Sequence, residues 1–296
     1  MAAVIETNEL KKNYGNHEAV RGLNLSVRAA SVCAFLGQNG AGKSSTIKML
    51  LGMIHPTSGG GSIFGHRIDK ERESLLIRQK VAFVAEDKRL YDYMSVSQII
   101  RFTQSFFPRW NHTLEQHLLE QFELPRERKI RQLSKGMRTK LALLLGFARG
   151  CELLILDEPT EGLDPVAIED VLQIVVSLAA QGTTIFFSSH QIAEVEQVAD
   201  HVLMIDRGKL VLDATIDCLK EQYRQIQAVF PNPIEERDLR LPGIERVRVE
   251  GKTASFVASH NVDSIVEHVR MLHAGSVDVL PISLKEIFLD KVKARS

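Results

Sequence analysis

Two short stretches carry residues whose types and spacing suit the grip of a phosphate. In LGQNGAGKSS, residues 36–45, the run Gly37, Gln38, Asn39, Gly40, Ala41, Gly42, Lys43 and Ser44 satisfies G-x-x-x-x-G-K-[ST]. Glycines at that spacing let successive backbone N–H groups turn inward around phosphate oxygens, and a following helix adds the partial positive charge of its N-terminus. Lys43 is placed to meet the β and γ phosphates of a nucleotide, Ser44 to present a hydroxyl to Mg²⁺, and Ser45 to cap the helix beside it. In LSKGMRTK, residues 133–140, Ser134, Lys135 and Gly136 stand just ahead of an apolar helical run, which again makes an anion site at a helix start. One chain thus carries two half-cradles.

Four other residues belong to the same chemistry. LLILDEP ends an apolar run in Asp157 and Glu158. The first carboxylate at such a strand end can hold Mg²⁺ through water, and the second can polarise an attacking water. His190 follows the run TIFFSS, at the carboxyl end of what should be a neighbouring parallel strand, where ligand crevices form, and is expected to sense a γ-phosphate. Tyr14, in KNYG, either stacks on an adenine or is an aromatic of a turn.

These residues need a scaffold. Residues 2–36 alternate short β-like runs with turn signals and end in the apolar strand SVCAFLG, ahead of the helix TIKMLLGMI. HPTSGGGSIFG, residues 55–65, reads as a loop with a tight turn. From residue 95 to about 150 the periodicity is helical, an insertion into an α/β domain. CELLILDEP and TTIFFSSH then supply two continuous apolar strands around the helix VAIEDVLQIVVSLAAQG, the βαβ pattern of a buried parallel sheet. With HVLMIDRGKLVL a first domain, 1–215, is complete. In 216–296 FPNPIEERDLRLPG resembles a linker or loop, followed by two strands and the helix VDSIVEHVRMLH in a small α+β appendage.

Composition narrows the function classes. Lys and Arg number 37 and so do Asp and Glu, so no bulk positive field holds nucleic acid or anionic lipid, and no nucleic-acid partner is expected. Cys33, Cys151 and Cys218 are far apart, which suits free thiols rather than a disulfide or metal site. The N-terminal residues lack a secretory pattern, and no apolar run approaches the ~20 residues that cross a bilayer, so the expected compartment is a reducing cytosol.

Taken in order, Tyr14, GQNGAGKSS, LSKGM, LLILDEP, GLDP and SSH resemble the ATP-binding cassette family over roughly residues 3–215. The resemblance implies a P-loop NTPase (RecA-like) parallel-sheet core with an N-terminal antiparallel β subdomain, and ATP and Mg²⁺ as cofactors. It implies Lys43, Glu158 and His190 as catalytic residues, and that LSKGM, through Ser134, Lys135, Gly136 and Met137, closes on the ATP of the opposite subunit. Asp164, in GLDP, is then expected at the seam of the dimer. Two departures stand out. LSKGM replaces the commoner LSGGQ, so Lys135 and Met137 stand where a glycine and a glutamine are usual, and Glu86, in VAFVAEDKRL, stands where most relatives have a metal-linked glutamine. A carboxylate there either binds Mg²⁺ more strongly or repels the phosphates. FFPRWN and the tail ending SLKEIFLD look most like the ATPases of ABC-2-type exporters. The partners implied are a second copy and a separate membrane permease, with the chain peripheral at the cytoplasmic face. Phe102, Phe106, Phe107 and Trp110 are then either core or part of the permease-docking groove. A rival, a cassette acting on ribosomes or DNA, would carry two cassettes or long heptad segments, and a nonenzymatic regulatory dimer would lack Glu158.

Overall fold

The computed structural model describes residues 3–239 and 241–293, which fall into two units that part between Asp213 and Ala214. In the first, β1 (Ala3–Tyr14), β2 (His17–Leu23) and β3 (Ser26–Arg28) lead into β4 (Val32–Leu36), whose five residues are all buried, as a strand covered on both faces requires. After it come α1 (Lys43–Leu50), β5 (Ser58–Ile63), β6 (His66–Arg67), α2 (Glu71–Lys80) and β7 (Val81–Val84). Three helices follow, α3 (Val96–Gln104), α4 (His112–Gln121) and α5 (Lys135–Phe147). The unit closes with β8 (Leu153–Asp157), α6 (Pro165–Ala180), β9 (Thr184–Ser189), α7 (Ile192–Val198), β10 (His201–Asp206) and β11 (Lys209–Thr215), the last of which runs two residues past the division.

Two sheets result. One is antiparallel, in the order β2-β1-β5-β6 with β3 also on β1, and the other runs β11-β10-β4-β9-β8-β7, parallel from β10 through β7. Their facing side chains merge in a single cluster, with Ile5, Leu10 and Leu23 from the first, Phe35, Ile155, Phe186 and Leu203 from the second, and Ile47 and Leu50 of α1. Helix α1 is therefore clamped into the core, and the loop before it is held at both ends.

Residues 58–63 correct the expected loop, because SGGGSI is strand β5, paired with β1. The glycines serve close backbone approach. A Cβ at Gly59 would sit 1.9 Å from the carbonyl of Glu9, and one at Gly61 2.7 Å from that of Glu6. Trp110 is core: it is 7% exposed and its indole N–H donates to Glu115 Oε2 at 2.8 Å. Phe102 and Phe106 are exposed and meet edge to face at 5.1 Å. The three thiols are free, Cys33 buried and the others half-buried. Among the described residues no helix is long and apolar enough to cross a membrane.

The second unit contains α8 (Ile216–Gln222), β12 (Arg224–Val229), β13 (Ile244–Glu250), β14 (Thr253–Ala258), α9 (Val262–Met271), β15 (Ser276–Pro281) and α10 (Leu284–Lys293). Its sheet is antiparallel in the order β13-β14-β12-β15. The stretch FPNPIEERDLRLPG joins β12 to β13 inside this unit, so it is no linker between domains. Phe230 and Leu239 are buried in the unit's own core, and the Phe230 N–H donates to the Lys252 carbonyl at 2.7 Å. Arg240 of that stretch lies outside the described residues.

Candidate functional site

Three strand ends lie level because their registers match: Leu36 pairs with Ser189, and Asp157 with Ser188. The loop after β4, the carboxylates after β8 and His190 after β9 therefore meet at the carboxyl edge of the sheet, outside which crevices form in parallel sheets.

Backbone sterics dictate the loop. Gly42 is the N-cap of α1 at φ 111°, and a Cβ there would stand 2.5 Å from the carbonyl of Ala19. At Gly37 a Cβ would stand 2.6 Å from the carbonyl of Ile205. Ser45 is accordingly not the cap expected from the sequence. It lies inside α1, with its Oγ 3.5 Å from the hydroxyl of Tyr14.

Lys43 is buried, yet its ammonium donates to the carbonyl of Gly37 at 2.7 Å and lies 3.1 Å from Glu158 Oε1. The other carboxylate oxygen of Glu158 is 2.8 Å from His190 Nδ1. Glu158 itself adopts a left-handed backbone, φ 48°, a conformation that costs a non-glycine residue about 1–3 kcal/mol and persists only where its surroundings over-determine it. They do so here. Its N–H donates to Ser188 Oγ at 3.1 Å and its carbonyl accepts from Lys88 Nζ at 3.2 Å. Ser188 Oγ in turn donates to Asp157 Oδ1 at 2.6 Å, and Ser44 Oγ lies 3.3 Å from the same oxygen. A serine hydroxyl beside a carboxylate is the oxygen donor set that suits a hard cation such as Mg²⁺.

A cleft of about 430 Å³ opens over these groups, lined by Tyr14, Gln38, Asn39, Gly40, Gly42, Lys43, Ser44, Ser45, Glu86 and Glu158, together with His17 and Ala19. Gly37, Ala41, Asp157 and His190 lie beside it without lining it, and none of Ser134, Lys135, Gly136, Met137 or Asp164 lines it. Ser134 caps α5, accepting the Met137 N–H at 3.2 Å, and Asp164 caps α6, accepting the Ala167 N–H at 3.0 Å, a bond that holds its carboxyl below the usual range. Lys135 pairs with Glu161 at 2.7 Å, and this hydrogen bond lowers the Glu161 pKa. Gly136 faces the Gly162 carbonyl, which a Cβ would approach to 3.2 Å. LSKGM and EGLDP of one chain therefore adjoin each other and leave their own cleft open on that side.

Several contributors were not read from the sequence. His17 and Ala19 give no local sign. Ser188 and Ser189 did carry one, two serines closing the otherwise apolar run of a fully buried strand. Glu194 is buried behind them, its Oε2 accepting from Thr160 at 2.9 Å and Ser189 at 3.2 Å, and burial raises its pKa against those bonds. Lys88 has no sequence signature at all. Burial lowers its pKa, opposed by Glu161 and Glu86, and its bond to Glu158 ties the loop after β7 to the peptide of the strained carboxylate. Removing one such hydrogen bond is worth about 1 kcal/mol, so Lys88→Met is expected to lower kcat about fivefold with KM for ATP little changed, and Lys88→Arg to restore part of it. Equal kcat in steady-state phosphate release from Lys88→Met and the parent would remove this role.

Comparison with known proteins agrees with this geometry. The family model described as ABC transporter matches residues 20–161. The bacitracin transport ATP-binding protein of Bacillus licheniformis is 36% identical over 228 residues, 76% of this chain and 74% of that protein. An ABC transporter ATP-binding protein of Bacillus subtilis is 26% identical over 97% of this chain and 98% of its own length, so its match includes the C-terminal unit. A solved ATP-binding subunit of an ABC transporter superposes with a TM-score of 0.67 at 28% identity, covering 74% of this chain and 92% of that one. The phosphate-gripping loop, the strained acidic strand end and these likenesses together place the chain in the ABC transporter family, as one of its ATP-binding subunits.

Proposed function

We propose that the chain is the ATP-hydrolysing subunit of an ABC-2-type exporter, and that two copies close on two ATP molecules to drive a separate permease at the cytoplasmic face of a membrane. The observation that carries the closure is the one-sided cleft: Lys43 and Glu158 line it, while Ser134 with its helix N-terminus stands outside it. Twofold pairing brings each Ser134 to the other copy's cleft and makes that contact twice. Bound MgATP supplies the phosphoanhydride that is cleaved and the cation that neutralises it. Lys43 and the N–H groups of 38–43 hold the phosphates, Tyr14 stacks on the base, Ser44 and Asp157 hold the cation, and Glu86 adds a carboxylate beside it. Glu158 takes the proton of the attacking water, with His190 orienting its carboxylate. Because both halves touch ATP only when closed, its binding shifts the open-to-closed equilibrium.

A groove of about 1330 Å³ supports the permease contact, with Phe106 and Phe107 beside Arg78, Lys80, Arg109 and Arg149 in its lining. Arg149 stacks on the Phe107 ring at 3.7 Å, which presents a cation over an aromatic floor to an incoming helix. The relatives' names favour export: a Nod factor export ATP-binding protein of Cupriavidus metallidurans is 29% identical over 98% of this chain.

Light scattering tests the closure. Glu158→Gln saturated with MgATP is expected at twice the monomer mass, and Ser134→Arg in the same background at the monomer mass with ATP still bound. Monomers only in the first sample would sink the reading.

A further inference from the structure

We propose that the C-terminal unit, Ala214 onward, holds a second anion site, for a phosphomonoester group, independent of the nucleotide cleft. Three cations converge on a cavity of about 440 Å³ in this unit: Arg246 and Arg248 of β13 and Lys285 of α10. The volume matches that of the nucleotide cleft, about 430 Å³, and lies within the range of small-ligand pockets.

The placement of the arginines depends on a distortion of the strand. Glu245 pairs with Val257, but Arg248 pairs with Ser255, so Arg246 and Val247 together oppose the single residue Phe256. This is a β-bulge, and Arg246 within it sits at φ 50°, a strained conformation for an arginine. The bulge has a readable effect. Ile244, Val247 and Val249 all pack on the unit's apolar core, which strict alternation from Ile244 would not allow, and Arg246 and Arg248 line the cavity on the other side. A bulge that re-aims a side chain at an edge strand is a recurring feature of binding sites.

The lining is rich in donors and poor in competing charge. Among the described residues neither arginine nor Lys285 has a carboxylate within ion-pair distance, whereas Arg237 of the same unit is paired with Glu235 at 3.0 Å. Among the described residues the one carboxylate in the lining is Glu286, whose Oε2 is turned to the start of α10, where it accepts the N–H of Ser283 at 3.1 Å and its hydroxyl at 2.9 Å. Gln225 donates its amide to Ser255 Oγ at 3.3 Å, which leaves the Ser255 hydroxyl proton free to donate into the cavity. Val257 and Leu289 give one apolar wall. Two guanidinium groups, an ammonium and a hydroxyl against an apolar wall select a doubly charged, acceptor-rich head on an apolar body. A free phosphomonoester and the head of an anionic lipid share that chemistry.

The full-length chain, its nucleotide cleft filled with excess MgADP, would be titrated calorimetrically with phenyl phosphate and sedimented with vesicles of phosphatidylcholine with or without phosphatidic acid. The expected result is one equivalent of phenyl phosphate bound with a Kd near or below about 1 mM, weakened about tenfold or more in Arg246→Gln/Arg248→Gln. Sedimentation with phosphatidic acid vesicles alone, lost in the same variant, would identify the lipid head as the source. Lys285→Gln, a change at an exposed helix position, should weaken either interaction without altering the urea melt. The proposal is overturned if neither probe binds, or if all variants bind as the parent does while ATP turnover is unaffected.

Discussion

Glu158→Gln is expected to lower ATP turnover by about 10²- to 10⁴-fold, the range for losing a positioned general base, while leaving nucleotide affinity nearly unchanged. Glutamine keeps the length and planarity of the side chain but cannot take a proton from water. The backbone that holds it does not depend on the carboxylate: the Glu158 N–H is bound by Ser188 and its carbonyl by Lys88, so the left-handed turn should survive. Kcat from phosphate release and affinity from a fluorescent ATP analogue separate the two effects. Charge loss beside Lys43 is the competing explanation, and Glu158→Asp distinguishes it, since it keeps the charge and withdraws the carboxylate by one methylene. An aspartate variant as slow as the glutamine variant indicates proton transfer at a fixed position. Turnover near the parent's in Glu158→Gln would take Glu158 out of the role altogether.

The second large effect concerns stability. Side chains of Lys43 and Glu158 are 6% and 7% exposed, and their 3.1 Å contact is ionic: Glu158 Oε1 is buried with no directed hydrogen bond from any of the described residues. Removing one partner of a buried pair leaves the other charge uncompensated, at about 3–5 kcal/mol. His190, which reaches only the other oxygen and is partly exposed, offsets some of this. Lys43→Met should therefore lower the unfolding free energy by about 3 kcal/mol in the absence of nucleotide. Adding Glu158→Gln should recover much of the loss, because the orphaned charge is gone. A urea double-mutant cycle on the two single variants and the pair reads the coupling directly. Additive losses would show that the contact contributes nothing to the fold and that Lys43 is held by the Gly37 carbonyl alone.

The same pair links stability to catalysis. In this structure Lys43 rests against the carboxylate proposed as base and against the loop carbonyl, so a γ-phosphate entering the cradle offers the ammonium a second anion and shares it away from Glu158. Lys88 acts at the same residue from the opposite side. Its predicted effect is smaller because it touches the peptide and not the carboxylate.

Much of the site was legible in the sequence because its rules are local. GQNGAGK writes its own backbone: Gly40 and Gly42 stand at positive φ, 80° and 111°, which side chains rarely adopt, and the lysine follows where a helix must start. Strands buried on both faces read as the apolar runs VCAFL, LLILD and TIFFSS, and a polar residue closing such a run marks a strand end at a crevice. LSKGM as a helix cap was equally local.

What tertiary structure alone decided involves partners distant along the chain. SGGGSI has three glycines in a row and too few side chains to announce a strand, and becomes one because β1, some fifty residues earlier, accepts a bare backbone at that distance. Helical spacing favours the core for Trp110 but does not name its partner, which is Glu115, the acceptor of its N–H. Lys88 meets Glu158 across 70 positions, and Arg246 joins Arg248 at one cavity through a slip in register against β14. Glycine spacing, apolar runs and caps are set by neighbours in sequence, whereas register, close approach and charge pairing are set by whichever segment packing brings alongside, and no window of adjacent residues contains that choice.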